Sequence, residues 1–175
     1  MKIVLFLGFS GSGKTTALSS ISRALVKGHR GKVGSIKRIH EENFSIDSKG
    51  KDTWQHAASG SSVVVAFARK EIDIISKKDT RSVTLKEILE IFRRSKVDYL
   101  LVEGLHKKFE NVRGVKRIVC ARSQSEAADL IKIHSGKILF VTGKFAKKIH
   151  DRKIGSVPIL CLPQDNDEAL RLVEK

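Results

Sequence analysis

The feature that most constrains this chain is a glycine-rich loop that directly follows an apolar run near its amino terminus. Ile3 to Leu7 are continuously apolar, as expected of a strand buried on both faces of a parallel sheet. Residues 8–15 then read GFSGSGKT, which meets the spacing GxxxxGK[ST]. Glycines in such a loop let backbone N–H groups turn inward around phosphates. The sequence therefore predicts a phosphate-binding loop, or P-loop, between a strand and a helix.

The polar residues of this loop have separate predicted tasks. Lys14 is expected to neutralise charge between the β- and γ-phosphates of a nucleotide, and the Thr15 hydroxyl is expected to bind Mg²⁺. The helix that follows points its positive end at the anion. A glycine-rich turn without a ligand is the alternative, but it would not require Lys and Thr at these places.

Apolar strands and amphipathic helices alternate along the rest of the chain. Strands are predicted at 3–7, 32–37, 62–67, 71–75, 99–103, 116–120, 137–141 and 157–162. Helices are predicted at 15–27, 51–59, 84–93, 124–133, 144–150 and 166–174. This order predicts a three-layer α/β domain of the P-loop NTPase type with a mostly parallel central sheet. The third and fourth strands can pair as an inserted β-hairpin, and residues 1–175 suit one domain.

A P-loop needs an acidic partner at the end of another buried strand to orient Mg²⁺. The segment DYLLVEG, residues 98–104, offers two carboxylates at opposite ends of one strand. Glu103 stands where this acid is expected, just before a glycine, and we interpret it as the magnesium partner. Asp98 and a simple surface role for Glu103 are the alternatives.

Asp52 and His56 stand four residues apart within a predicted helix, so their side chains share one face. They could reach toward a γ-phosphate or its magnesium ion. A solvated face beside Trp54 explains the same spacing.

The two cysteines, Cys120 and Cys161, belong to no CxxC pair, so neither a zinc site nor a disulfide framework is predicted. No apolar stretch approaches the roughly 20 residues that a membrane-spanning helix needs. We expect a soluble, cytoplasmic protein without a membrane partner.

Four segments together resemble the molybdopterin-guanine dinucleotide biosynthesis protein B family. They are GFSGSGKTT, VGSIKRIH at 33–40, FSIDSKGKDTWQHAASGSS at 44–62 and LLVEGLHK at 101–108. Their order and spacing agree with the family through about residue 108. The chain departs from the family where a histidine-rich stretch is reduced to IHEENF.

The resemblance implies a GTP-binding protein with Mg²⁺ and slow hydrolysis that assists the enzyme attaching GMP to molybdopterin. It implies a homodimer whose partners are molybdopterin and that guanylyltransferase. Residues implied in nucleotide binding are Ser10, Gly11, Ser12, Gly13, Lys14, Thr15 and Thr16. Those implied in metal binding are Thr15, Asp52 and Glu103, with Lys14 and Asp52 as catalytic groups. Lys37 is implied near the site, and His40 and His56 are further matches.

Two loops after predicted strands are candidates for reading the nucleotide base. VTGK, residues 141–144, is either a degenerate base loop or an ordinary turn, and LPQDND, residues 162–167, follows the last strand. In the second loop we expect Asp165 or Asn166 to cap the final helix. A standard [NT]KxD motif is absent, so the choice of GTP over ATP depends on the resemblance.

The chain carries 34 Lys and Arg against 19 Asp and Glu, a net charge of +15, which favours anionic partners. Basic residues concentrate at 106–117 and 144–153. The first segment follows Glu103 and could hold a pterin phosphate or an acidic protein, whereas solvated surface is the alternative. Nucleic-acid binding is a rival function, as is a small-molecule kinase using Asp98 or Asp47.

Overall fold

The computed structural model describes residues 1–175, which divide into two compact units. The first unit comprises 1–38 and 85–175, and the second comprises 39–84. The strands are β1 (Lys2–Leu7), β2 (Val33–Lys37), β3 (Val63–Phe67), β4 (Ile72–Ser76), β5 (Tyr99–Glu103), β6 (Lys116–Cys120), β7 (Ile138–Thr142), β8 (Lys153–Ile154) and β9 (Val157–Pro158). The helices are α1 (Lys14–Lys27), α2 (Asp52–Ala58), α3 (Leu85–Arg94), α4 (His106–Phe109), α5 (Gln124–Ile133) and α6 (Asn166–Glu174), with a 3₁₀ helix at Lys144–Lys148.

The first unit is built on a five-stranded sheet in the order β2-β5-β1-β6-β7, with every neighbouring pair parallel. The predicted α/β class with a parallel central sheet is therefore confirmed. Because all strands run the same way, their carboxyl ends share one edge. The P-loop follows β1 at that edge.

Side-chain alternation along β1 explains why its whole sequence is apolar. Val4 and Phe6 pack in one buried cluster with Ile21 of α1, and residues of α6 belong to the same cluster. Leu5 and Leu7 pack in the other, on the face that α3 and α5 cover. The sheet is thus covered on both faces, which gives the predicted three layers.

The carboxyl-terminal third differs from the sequence prediction. The strand expected at 157–162 is shortened, because Val157 and Pro158 pair antiparallel with β8 instead. Pro158 has no N–H to continue a ladder, and only Ile159 then forms a parallel bridge, to Val141. The helix expected at 144–150 is a 3₁₀ helix at Lys144–Lys148, and α4 was not predicted.

The second unit contains α2 and the β3–β4 hairpin, whose strands pair in the antiparallel sense. The Ala68 amide donates to the Glu71 carbonyl, which closes the turn around Arg69 and Lys70 as predicted. Val64 is buried on the face that contacts α2. In neither unit is any helix both long and apolar enough to cross a lipid bilayer.

Candidate functional site

The P-loop begins at a glycine that no other residue can replace without strain. Gly8 has φ of 146°, and a Cβ there would lie 2.1 Å from the Cys120 carbonyl oxygen and 2.6 Å from the Ser12 hydroxyl oxygen. The loop therefore starts in direct contact with the end of β6. This contact fixes the point where the chain leaves the sheet.

The loop ends at α1, whose first residue is Lys14. Gly13 precedes it with φ of 92°, and no side chain caps the helix. The first amides of α1 are thus left for another acceptor, which suits an anion at a helix amino terminus. The Lys14 ammonium donates to the Phe9 carbonyl across the loop at 2.7 Å.

Ser12 is the buried polar residue of the loop. It is 2% exposed, and its hydroxyl oxygen has no hydrogen-bond partner. A buried polar group of this kind costs free energy unless it is paired. An orphaned hydroxyl within a glycine-rich loop fits a loop that closes around a polar ligand.

Glu103 ends β5 at the same edge of the sheet. Pairing between β1 and β5 sets it opposite Phe6, and pairing between β2 and β5 sets it opposite Lys37. The Thr15 hydroxyl donates to the Glu103 carboxylate, with oxygen separations of 3.0 and 3.2 Å. The Lys37 ammonium lies 3.8 Å from the same carboxylate. The structure therefore brings Thr15, Glu103 and Lys37 together, while the roles of Thr15 and Glu103 at magnesium stay a prediction.

Asp98 lies at the other end of β5. Its carboxylate accepts a hydrogen bond from the Lys32 amide at 2.8 Å. A Cβ on Gly31 would meet this side chain within 3 Å. Asp98 thus holds the start of β2 at the amino edge of the sheet, the edge opposite the P-loop.

Asp52 is the first residue of α2 in the second unit and is exposed, as is His56 on the same helix. His40 is exposed in the segment before this helix. The predicted metal and catalytic roles of Asp52 remain predictions. Asp47 is the residue whose contacts the sequence did not indicate: it accepts from the Thr53 hydroxyl at 2.9 Å, and its second carboxylate oxygen is buried without a partner.

Cys120 lies beneath the P-loop at the end of β6. Burial raises the pKa of its thiol to about 12, with a smaller opposing effect of Lys14 and a further raising effect of Glu103. Cys120 therefore lies close enough to Lys14 and Glu103 for their charges to affect its thiol. Both cysteines are free thiols.

The two candidate base loops lie after β7 and after the short bridge at Ile159. Gly143 has φ of 149°, and a Cβ there would lie 1.9 Å from the Ala121 carbonyl oxygen, so a glycine is required for packing. The expectation that a side chain caps α6 was wrong. Asp165 precedes the helix, but its carboxylate accepts from the Cys161 amide and the Arg152 guanidinium instead.

Known proteins resemble this chain in sequence and in fold. The family model described as Molybdopterin guanine dinucleotide synthesis protein B matches residues 3–143. The molybdopterin-guanine dinucleotide biosynthesis adapter protein of Haemophilus influenzae is 37% identical over 101 residues, which are 58% of this chain and 55% of that protein. The chain thus spans about half the length of the curated relative that it matches.

Two solved structures have the same fold. MobB of Bacillus subtilis superposes with a TM-score of 0.69 at 24% identity, with 98% of each chain covered. A MobB homologue from Bacillus stearothermophilus gives a TM-score of 0.67 at 19% identity, covering 99% of this chain and 97% of the other. Because the family model matches well over half of its residues, the chain belongs to the molybdopterin guanine dinucleotide synthesis protein B family.

Proposed function

We propose that this protein binds GTP with Mg²⁺ and acts as an adapter in the synthesis of molybdopterin guanine dinucleotide. The observation that carries the proposal is the hydrogen bond between Thr15 and Glu103 at the mouth of the P-loop. A hydroxyl and a carboxylate held together beside a phosphate-binding loop are the ligands that Mg²⁺ prefers next to a nucleotide. Family membership supports the choice of pathway.

In this proposal, different groups of the loop and its neighbours bind the phosphates and the metal ion. Backbone N–H groups within Ser10 to Thr16, including the uncapped start of α1, would bind the phosphates. Lys14 leaves the Phe9 carbonyl and neutralises phosphate charge. Thr15 and Glu103 would hold the metal ion, which would supply positive charge to the phosphates. Lys37 lies beside Glu103 and offsets part of its negative charge.

We propose slow hydrolysis, with the nucleotide state serving a partner rather than fuelling rapid turnover. Water positioning in this proposal depends on Asp52, with His56 on the same helix face. The partner is a guanylyltransferase that acts on molybdopterin, as the adapter name of the Haemophilus influenzae relative suggests. Two buried free thiols suit a reducing cytoplasm.

We also propose a homodimer formed through the β3–β4 hairpin. Five apolar side chains share its outer face and are more than half exposed: Val63, Val65, Phe67, Ile72 and Ile74. A two-stranded sheet with one uncovered apolar face is marginally stable, and contiguous apolar patches mark protein interfaces. A second copy of the chain presents the same apolar patch, so pairing the two patches would cover both of them.

Calorimetric titration of the full chain tests the nucleotide proposal. GTP with Mg²⁺ should bind more tightly than ATP with Mg²⁺, and chelating the metal should weaken binding. The Lys14→Ala variant should lose tight binding while keeping its fold, because a charge-assisted phosphate contact is removed. Lys27→Ala, at the exposed far end of α1, is the matched control. Equal affinity for GTP and ATP would contradict the guanine assignment, and unchanged affinity of Lys14→Ala would contradict the role of the loop.

A further inference from the structure

A groove lies at the amino edge of the sheet in the first unit, between the loop 110–117 and the turn 135–137. Its volume is about 390 Å³. Pairing of Val4 with Lys116 and of Leu7 with Val119 puts the start of β6 at the edge opposite the P-loop. The basic segment 106–117 therefore runs away from the P-loop, and residues 110–117 do not lie beside it.

Arg117 forms the floor of this groove. It is only 6% exposed, and its guanidinium donates to the backbone carbonyls of Val115 at 3.2 Å and Glu110 at 3.3 Å. Neither acceptor is a carboxylate. A buried charge without a counter-ion is costly, whereas other arginines of the protein are paired, such as Arg30 with Glu174 and Arg122 with Glu126.

The turn on the far side of the groove is shaped to approach this guanidinium. Gly136 has φ of 93°, and a Cβ there would lie 2.2 Å from the Arg117 Nη1 atom. The positive φ favours glycine here, and the turn lies directly against the guanidinium. The Val115 and Glu110 carbonyls orient the guanidinium, and an oriented arginine fork suits directional recognition of an oxyanion.

Further cations surround the groove. Arg113 and Lys137 line it together with Arg117, and Glu110 is the one acidic residue in the lining. Lys116 also lines it, but its ammonium donates to the Val173 carbonyl of α6 at 2.7 Å. The cations in the lining outnumber its one carboxylate, which favours an anion.

We propose that this groove binds the phosphate of a small phosphate monoester, at a second anion site separate from the P-loop. The volume suits a small molecule rather than a macromolecule. Arginine and lysine donors together match a dianionic phosphate, and the Ser135 hydroxyl in the lining offers a further donor. The site uses no residue of the P-loop. A failure of the nucleotide proposal would therefore leave this proposal untouched, and the reverse also holds.

Nuclear magnetic resonance titration of the full chain tests this site directly. Phenyl phosphate is added to ¹⁵N-labelled Lys14→Ala protein, with sodium chloride at matched ionic strength as the reference. Saturable shifts are expected at the amides of Gly114, Ser135 and Gly136. Dimethyl phosphate, a singly charged diester, should bind more weakly. Equal binding of the diester would overturn the monoester assignment.

A pair of lysine variants separates ligand binding from a purely structural role of Arg117. Lys137→Ala should weaken phenyl phosphate about tenfold, since one charge-assisted contact of about 1.4 kcal/mol is lost. Lys147→Ala removes the same charge from the exposed 3₁₀ helix, which follows β7 at the opposite edge, and should leave the affinity within twofold. Arg117→Lys, if folded, should weaken binding further. The proposal is overturned if the groove amides show no saturable shift, or if the two lysine variants bind alike.

Discussion

The Thr15 hydroxyl donates to the Glu103 carboxylate at 3.0 Å, although 88 residues separate the two in the chain. The pairing of β1 with β5 explains this contact, because it sets Glu103 opposite Phe6 just before the P-loop. Glu103 is 12% exposed in its side chain, so the carboxylate is largely shielded from solvent. A bound Mg²⁺ would take the place of this hydrogen bond, with the neutral Thr15 hydroxyl and the Glu103 carboxylate as oxygen ligands that the fold already holds close together.

Replacing this carboxylate should therefore remove the magnesium dependence of nucleotide binding. We expect Glu103→Gln to lower the affinity for GTP with Mg²⁺ about tenfold to a hundredfold, the range for hydrogen bonds to charged groups. The affinity measured in chelator should change little. Asp98→Asn, at the other end of β5, is the matched control and should keep the metal dependence. Calorimetry with and without Mg²⁺ provides the measurement, and an equal loss in both conditions would count against a metal role.

Gly8 should be the glycine of the loop whose replacement costs most stability. A methyl group there meets the Cys120 carbonyl at 2.1 Å with φ of 146°, so we expect Gly8→Ala to lower the free energy of unfolding by about 3 kcal/mol or more. The methyl group of Gly11→Ala has no atom within 4 Å, so only the φ of 73° destabilises this variant, by about 1 kcal/mol. Urea denaturation of both variants measures the difference. Similar losses would show that the contact with β6 is unimportant.

The sequence predicted the P-loop and its acidic neighbour because both depend on local patterns. An apolar strand followed by glycines, Lys14 and Thr15 has few other structural uses, and β5 ends at Glu103 where its apolar run ends. The parallel sheet followed from the alternation of strands and helices. The P-loop and the acidic end of β5 each depend on about ten consecutive residues, so a single sequence is enough to show them.

Contacts made between distant segments were not predicted. The orphaned Ser12 hydroxyl and the Gly8 contact depend on where β6 ends beside β1, which no local pattern reports. Asp165 or Asn166 was predicted to cap the final helix, but the Asp165 carboxylate accepts from the Arg152 guanidinium instead. Arg117 was placed in a basic segment that either holds an anion or is solvated surface, and its burial beside the turn at Gly136 was not predicted.

Cys120 should be inert in the folded protein. With burial raising the pKa of its thiol to about 12, roughly one molecule in ten thousand carries the thiolate at pH 8. In a Cys161→Ala background, Ellman's reagent should therefore react only as fast as the protein opens. Adding guanidinium chloride should expose the thiol and restore rapid reaction. Fast modification under native conditions would contradict the burial of Cys120.

The hairpin should control the oligomeric state. Phe67 is 82% exposed on the apolar face, and Phe67→Ser should weaken self-association at least about tenfold, as expected for an aromatic side chain buried in an interface. Ile91→Ser removes a side chain that is 64% exposed on α3 and is the control. Sedimentation velocity over a range of concentrations measures the effect. A wild-type chain that stays monomeric, or equal behaviour of the two variants, would contradict the proposed interface.

His134 should make the protein less stable in mild acid. Burial lowers the pKa of this histidine below its usual value of 6.5, and the neighbouring His106 and Arg117 lower it further. The unfolded chain therefore takes up a proton near pH 6.5 while the folded chain resists it, so the free energy of unfolding falls as the pH drops from 7 through 6.5. It levels off below the folded pKa. His134→Gln cannot take up the proton and should show a shallower fall in urea denaturation between pH 7 and 5. His150→Gln, at an exposed position, should keep the wild-type slope, and an unchanged slope in His134→Gln would assign the acid sensitivity to other groups.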